Sequence, residues 1–337
     1  MDSHPSTPVT PISRAELENQ LIGTYKIIRF IGAGSYATVF LAEDCGPTKC
    51  GQVAIKITKR ADKEGYRLLK HVNEIFHHLE TTIFSETSFS PITAANRNER
   101  YGKDNVIRYI DTIETDLYLC TVMEYINGME LFDYIMKYHK KIESISIGVE
   151  DALAKKIMRD LLQALWYCHS RKVAHGDIKL ENILVVDTPS PTIKLIDFGL
   201  AQIINTGNSK PARGSDPYLS PEIVMQLPVQ DIFKCDIWAL GVVLFALMTG
   251  RMPFDVDEKQ RELHHGLNEY DLENRLRRNL LRKIAMGSYK YSESESSNIQ
   301  PDVKDLISKM LCRNANDRFN AEDCLNHKWF SSLNVHG

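Results

Sequence analysis

The stretch His175-Gly176-Asp177-Ile178-Lys179-Leu180-Glu181-Asn182, followed downstream by Asp197-Phe198-Gly199, gathers an acid, a cation, a metal-ligating amide and a second acid on a glycine turn. Phosphoryl transfer draws on such a set, because its transition state asks mainly for positioning and for neutralisation of negative charge. An Asp-Phe-Gly turn by itself is weak evidence, since many strands end in one. The two motifs together, in this order and at this spacing, are strong.

The upstream chain supplies elements to position partners for that set. Gly32-Ala33-Gly34-Ser35-Tyr36-Ala37-Thr38-Val39 lies between the apolar strand Tyr25–Ile31 and a second strand, Val39–Ala42. A glycine-rich hairpin lets backbone N–H groups approach phosphate oxygens without Cβ obstruction. Val53-Ala54-Ile55-Lys56 then sets a lysine in a short β-branched run. Such a position favours an apolar side chain, so the lysine points to a buried anion partner. Leu69, Val72, Phe76 and Leu79 fall three or four apart, one face of a helix that also carries Glu74.

These residues resemble the eukaryotic protein kinases, whose motif set is glycine loop, strand lysine, catalytic loop and Asp-Phe-Gly. The resemblance runs over residues 21 to 331. Gly214-Ser215-Asp216-Pro217-Tyr218-Leu219-Ser220-Pro221-Glu222 looks like the end of an activation segment, and Asp236-Ile237-Trp238-Ala239-Leu240-Gly241 like the buried helix of the large lobe. The implied fold is α+β and bilobal: a small, mostly-β N-lobe with one key helix and a larger, mostly-α C-lobe. The catalytic core is most similar to the calcium/calmodulin-kinase-like and AMP-kinase-like groups.

The resemblance implies a role for each matching residue. Asp177 would accept or orient the proton of the substrate hydroxyl, and Lys179 would stabilise charge on the transferred group. Asn182 and Asp197 would hold two Mg²⁺ ions. Lys56 would grip the α- and β-phosphates of ATP, its ammonium fixed by Glu74. Ile31, Gly32, Ala33, Gly34 and Ser35 would lie over the nucleotide, with Val39, Ala54 and Leu184 around adenine. Met123 would be the gatekeeper, and the backbone of Glu124 and Ile126 would hydrogen-bond the base. Lys179 together with Gly214-Ser215 looks like the Ser/Thr-specific pattern. Glu222 and Arg318 would form a structural tie. Glu130 and Glu181 match positions that face basic side chains upstream of the phosphorylated residue, which favours Arg or Lys there by Coulomb attraction.

One departure carries weight. Gly176 stands where the family commonly has an arginine that reads a phosphate on the activation loop. Glycine has no side chain for that task, so phosphorylation of Thr206 or Ser209 is not expected to be the on-switch. Ala37 replaces the third loop glycine, a smaller change. All six of Lys56, Glu74, Asp177, Lys179, Asn182 and Asp197 are present, which favours an active enzyme over the alternatives, a pseudokinase scaffold or a partner-dependent kinase.

Composition sets outer bounds. The chain has 337 residues, 43% hydrophobic and 25% charged, with a net charge of −3. That balance gives no electrostatic case for nucleic acid or an anionic membrane. The longest apolar run, Ile237–Met248, is too short to span a bilayer. The start of the chain lacks the pattern of a secretory signal, and its seven cysteines read as reduced thiols. Cys45 and Cys50 flank a turn without two further ligands, so no zinc site is expected. The expected organisation is a flexible tail over 1–20, an N-lobe over 21–123 with an insertion at 81–102, a C-lobe over 124–331 with an extended connection at 255–283, and a short tail at 332–337. Leu272, Leu276, Leu280 and Ile284 predict an amphipathic helix in that connection. The expectation is a monomer in the cytoplasm or nucleus acting on protein substrates, with a regulatory protein partner allowed for.

Overall fold

The computed structural model describes residues 12, 14–34, 36–47, 51–82, 101–141, 148–186, 191–204, 214–255 and 269–333. The chain divides into two compact units, one of residues 1–81 with 107–127, the other of 82–106 with 128–337.

The first unit is built on a six-stranded antiparallel sheet. Its strands are β1 (Leu21–Ile22), β2 (Tyr25–Ala33), β3 (Thr38–Asp44), β4 (Gln52–Lys59), β5 (Tyr109–Glu114) and β6 (Tyr118–Glu124), in the order β1-β2-β3-β4-β6-β5. Alternate residues point to one face. Tyr25, Ile27, Phe40, Ala42, Val53, Ile55, Ile57, Cys120 and Val122 accordingly form one buried cluster. Helix α2 (Lys63–Thr81) packs against β4 and β6. Its Leu69, Val72, Phe76 and Leu79 are buried, as their spacing requires, and Phe76 stacks on Tyr109 with ring centroids 5.5 Å apart.

Residues 1–20 read from sequence as a tail, yet the structure seats Ile12 and a short helix α1 (Arg14–Leu17) on this sheet. Ile12 and Leu17 join the buried cluster. Glu16 pairs with Lys59 at 3.1 Å and accepts the Tyr118 hydroxyl at 3.2 Å. Two apolar side chains within a polar run suffice to bind the segment, a pattern too sparse for periodicity to register.

The second unit is mostly helical. Its longer elements are α3 (Leu131–Lys141), α4 (Asp151–Ser170), α6 (Phe233–Thr249), α7 (Glu269–Met286) and α9 (Pro301–Met310); α5 (Pro221–Val224), α8 (Glu293–Asn298) and α10 (Ala321–Leu325) are short. Nearly every side chain of α6 is buried. Gly241 is needed there, because a Cβ on it would lie 2.9 Å from the Met310 Cβ of α9. Gly250 ends α6 at φ 72°, the left-handed stop that glycine supplies. Among the described residues no helix is long and apolar enough to cross a membrane. The leucine stripe at 272, 276 and 280 does form a helix, α7, which packs on α5 and on the turn Asp216–Tyr218. Residues 256–268 of the extended connection and 83–100 of the insertion lie outside the described residues.

The described end of the insertion belongs with the helical unit and not with the sheet. Tyr101 meets Trp166 edge to face at 5.4 Å, and a Cβ on Gly102 (φ 80°) would lie 2.0 Å from the Gln163 carbonyl oxygen. The Asn105 amide donates to the Ile193 carbonyl at 3.2 Å, and Val106 bridges to Leu195.

Candidate functional site

Three short strand pairs fix the loop that carries Asp177. Strand β8 (Val173–Ala174) enters it and pairs with β11 (Gln202–Ile203). Strand β9 (Ile183–Val186) leaves it, pairing with β10 (Thr192–Leu195) and with β7 (Met129–Glu130). The Ile196 N–H donates to the Asn182 carbonyl at 2.9 Å, which brings Asp197 beside Asn182.

The Asp177 carboxylate is fully engaged. Its Oδ1 accepts from the Ser215 N–H and hydroxyl, each at 3.1 Å, and its Oδ2 from the Asn182 amide at 3.0 Å. The Lys179 ammonium lies 2.7 Å from Oδ2 and also donates to the Ser215 hydroxyl at 3.0 Å. Acid, cation and amide therefore converge, as the motif spacing requires, and Ser215 closes the ring from a distant segment. A carboxylate with this many donors, one of them the Lys179 ammonium, is held in one orientation.

Beneath the loop sits Asp236, near the start of α6. Its Oδ2 accepts from the His175 N–H at 2.9 Å and contacts His169 Nε2 at 2.8 Å; its Oδ1 accepts from the Gly176 N–H at 2.9 Å. Burial opposes ionisation of Asp236, but the hydrogen bonds from His169 and from the Gly176 amide help to outweigh it and hold the pKa below the ordinary value. His175 is fully buried, and burial lowers its pKa against the nearby carboxylates. It is thus a neutral ring: Nε2–H donates to the Ile196 carbonyl at 3.0 Å while Nδ1 accepts from the Asp177 N–H at 3.3 Å. The same ring meets Phe198 edge to face at 4.7 Å. Sequence reading placed Asp236 only as part of a buried helix. The available signal was an acid in the first turn of an otherwise apolar helix, a group that must have buried partners.

Gly176 has φ 78°, and a Cβ there would stand 2.6 Å from the Leu200 carbonyl oxygen. The residue therefore suits its backbone while offering no side chain to the segment that follows Asp197. Thr206 and Ser209 lie outside the described residues.

The Glu222–Arg318 tie forms as a two-pronged pair at 2.8 and 3.0 Å, with the Arg318 side chain wholly buried. Arg318 also donates to the carbonyls of Cys312 and Lys234, and its guanidinium sits over Trp238. Burial would raise the Glu222 pKa, but Arg318 prevails and lowers it.

Oxygen donors suited to a divalent cation are present in this unit. Both protons of the Asn182 amide are committed to Asp177, its carbonyl at 2.8 Å and its carboxylate at 3.0 Å, so the Asn182 side-chain oxygen is the atom left to face a metal. Asp197 adopts φ 59°, a strained backbone for a residue other than glycine. One of its carboxylate oxygens accepts the Gly199 N–H at 3.3 Å. Among the described residues no group of three His, Cys, Asp or Glu side chains forms a metal site. Two protein oxygens completed by phosphates is the usual way Mg²⁺ is held, so the donor set fits.

In the sheet unit, Lys56 lies in β4, paired with Val39 of β3 and Thr121 of β6. It is 7% exposed. Its ammonium donates to the Tyr36 hydroxyl at 2.8 Å and sits 4.4 Å from that ring's centroid. Glu74 is exposed on α2, and no ion pair joins it to Lys56 among the described residues, unlike the pairing that the resemblance implies. The physical reason lies in the helix face: Asn73 and Ile75 beside it turn inward while Glu74 turns out. Ile31 to Ala33 end β2, Gly34 follows it and Val39 lies opposite Gly32, so the glycine-rich segment is a hairpin; Ser35 lies outside the described residues. Ala54 is paired with Met123, and both are buried. The Glu124 N–H donates to the Arg108 carbonyl at 2.9 Å, and its carboxylate accepts the Arg108 N–H at 2.8 Å, which fixes the chain just before Ile126. Leu184 belongs to the other unit, in β9 opposite Glu130.

Glu130 has its pKa raised by burial, by Asp133 and by Glu181, with Lys179 opposing. An acidic patch therefore borders the Asp177 loop.

Residues 25–330 match the protein kinase domain family, and the chain belongs to it. Calcium-dependent protein kinase 5 of Plasmodium falciparum is 30% identical over 319 residues, 94% of this chain and 47% of the relative. Calcium-dependent protein kinase 5 of Plasmodium berghei is 34% identical over 228 residues, 67% of this chain and 35% of the relative. The probable serine/threonine-protein kinase MARK-A of Dictyostelium discoideum is 29% identical over 318 residues, 92% and 24% respectively. The chain spans less than half the length of each of these relatives. Fold and relatives together define a Ser/Thr protein kinase domain, a class that uses ATP with a divalent metal ion.

Proposed function

We propose that this protein transfers the γ-phosphate of Mg-ATP to Ser or Thr hydroxyls of protein substrates that carry a basic side chain upstream of the acceptor. The observation that carries the reading is the Asp177 carboxylate held between Lys179, Asn182 and Ser215. Asp177 would orient the substrate hydroxyl and take its proton as the oxygen–phosphorus bond forms and the γ-phosphorus parts from its bridging oxygen, ADP being the leaving group. Lys179, already beside Asp177, offsets negative charge on the transferred group. Asn182 and Asp197 hold Mg²⁺, two ions in our reading, which neutralises phosphate charge. Lys56 contacts the α- and β-phosphates, and the hairpin Ile31–Ser35, Val39, Ala54, Met123, Glu124, Ile126 and Leu184 receive the rest of the nucleotide.

The basic preference is supported by Glu130, whose pKa is raised by burial first and then by the neighbouring carboxylates of Asp133 and Glu181. A substrate guanidinium relieves that repulsion. The outward position of Glu74 favours a second form of the reading, in which a partner protein turns α2 so that Glu74 reaches Lys56. The test is transfer from Mg-ATP to a Ser peptide with arginine three residues upstream, beside an Asp177→Asn control. Transfer by the native chain, absent in the control, is expected. No transfer to this or any generic protein substrate from folded protein overturns the reading of an autonomous kinase.

A further inference from the structure

We propose that Arg277 of α7 is a positioning residue for the phosphoryl-transfer loop, acting through Asp216 on Ser215 and so on Asp177 and Lys179. The inference rests on the kinase reading of that loop. Arg277 Nε and Nη2 each donate to one oxygen of Asp216, the second at 2.9 Å, the two-pronged geometry in which a planar guanidinium fixes a carboxylate best.

Asp216 follows directly on Ser215, and the two are locked in one turn. The Tyr218 N–H donates to the Ser215 carbonyl at 3.0 Å and the Leu219 N–H to the Asp216 carbonyl at 3.2 Å. This turn touches the loop twice. Ser215 binds Asp177 and Lys179, and the Tyr218 hydroxyl accepts the Leu180 N–H at 3.4 Å. Whatever fixes Asp216 therefore fixes the donors on Asp177.

The anchor itself is fixed. Helix α7 packs on α5 and on this turn, Ile284 is fully buried, and the Ala285 carbonyl accepts Arg313 Nε at 2.9 Å. Gly176, the neighbour of Asp177 from which a side chain would otherwise extend, contributes nothing to the turn beyond backbone. The cation that holds the end of the segment comes instead from a helix 61 residues further along the chain.

The side chains are 45% exposed for Arg277 and 26% for Asp216, so the pair tunes the turn and does not support the fold. Half-exposed pairs of this kind change an equilibrium by about three- to fivefold. The experiment uses the full chain, as native protein and as Arg277→Ala, Arg277→Asp, Asp216→Arg and the double reversal. Two quantities are read: amide hydrogen exchange over Gly214–Leu219, and kcat with KM for ATP, the Asp177→Asn protein serving as blank. In Arg277→Ala, exchange over 214–219 rises about three- to fivefold while α6 is unchanged, and kcat falls by a similar factor at constant KM for ATP. Either single reversal does more, and the double reversal recovers both readouts. If a reversal variant unfolds, the isosteric Asp216→Asn repeats the test. Exchange and kcat that match the native protein in Arg277→Ala and in either reversal overturn the proposal. A native protein without transfer sinks the kinase reading alone, since exchange over 214–219 still decides whether Arg277 holds the turn.

Discussion

Asp177 and Lys56 are the charged groups on which their respective units depend, and they are held in opposite ways. Asp177 receives donors from its own loop, from Lys179 and from Ser215, and the backbone on either side of it is tied down by Asp236. Lys56 is buried, 7% exposed, and within its unit its ammonium donates to the neutral phenol of Tyr36, on the glycine-rich hairpin. The carboxylate expected to hold it, Glu74, faces solvent. The helical unit has its reacting groups arranged in advance, which is where electrostatic stabilisation gains most. In the sheet unit the cation is in place on β4, while Glu74 lies exposed on α2.

That contrast can be broken at several points. The largest effect belongs to Asp177→Asn, expected to lower kcat by about 10²- to 10⁴-fold with folding intact; residual activity above that range would mean that Asp177 is not the acid–base group. Next is Asp236→Ala, which leaves the His175 and Gly176 amides and His169 without their buried acceptor. It should destabilise the protein by about 3–5 kcal/mol, read as a shifted denaturant midpoint, and an unchanged midpoint would show the loop to be self-supporting.

The same carboxylate gives a pH dependence. The folded pKa of Asp236 lies below its ordinary 3.8 and that of Glu222 below its ordinary 4.5, so both stabilise the fold above those values. That contribution is lost as pH falls from there toward the lowered values, and Asp236→Asn should flatten the acid limb of a thermal-unfolding profile. A smaller effect is expected from Glu130→Gln, which should raise KM for the arginine peptide about two- to fivefold and leave a neutral peptide unaffected. Because the Glu130 pKa is raised, KM for the arginine peptide should also climb as pH is lowered in the native protein but not in Glu130→Gln. The smallest change is Tyr36→Phe. Removing a neutral acceptor from Lys56 should lower KM for ATP by no more than about fivefold, and a marked rise instead would make Tyr36 part of the nucleotide contact.

Much of this was legible in the sequence, for identifiable reasons. Asp177, Lys179 and Asn182 sit within one short loop, so their convergence follows from spacing. The helix at 272–284 announced itself by leucines four apart. What sequence left unread was contact between segments far apart in the chain. Asp236 lies near the start of an apolar helix, where type alone does not say which amides it will cap. The Arg277–Asp216 pair joins an exposed basic run to a turn, and basic runs on helices usually face only water. Glu74 shows the converse: its distance from Lys56 along the chain matched the family, but the direction of its side chain depends on how α2 is rotated, which no spacing encodes. The seating of Ile12 and α1 on the sheet was hidden by polar composition around two buried side chains.

The central claim is that the Asp177 loop is assembled by Ser215, Asp236 and the Arg277–Asp216 pair, without a phosphate read by residue 176. The most direct measurement is kcat for the arginine peptide before and after exhaustive phosphatase treatment, with mass spectrometry verifying loss of phosphate from residues 205–213. Unchanged kcat is the predicted result. A fall of an order of magnitude or more, restored on rephosphorylation, would contradict it.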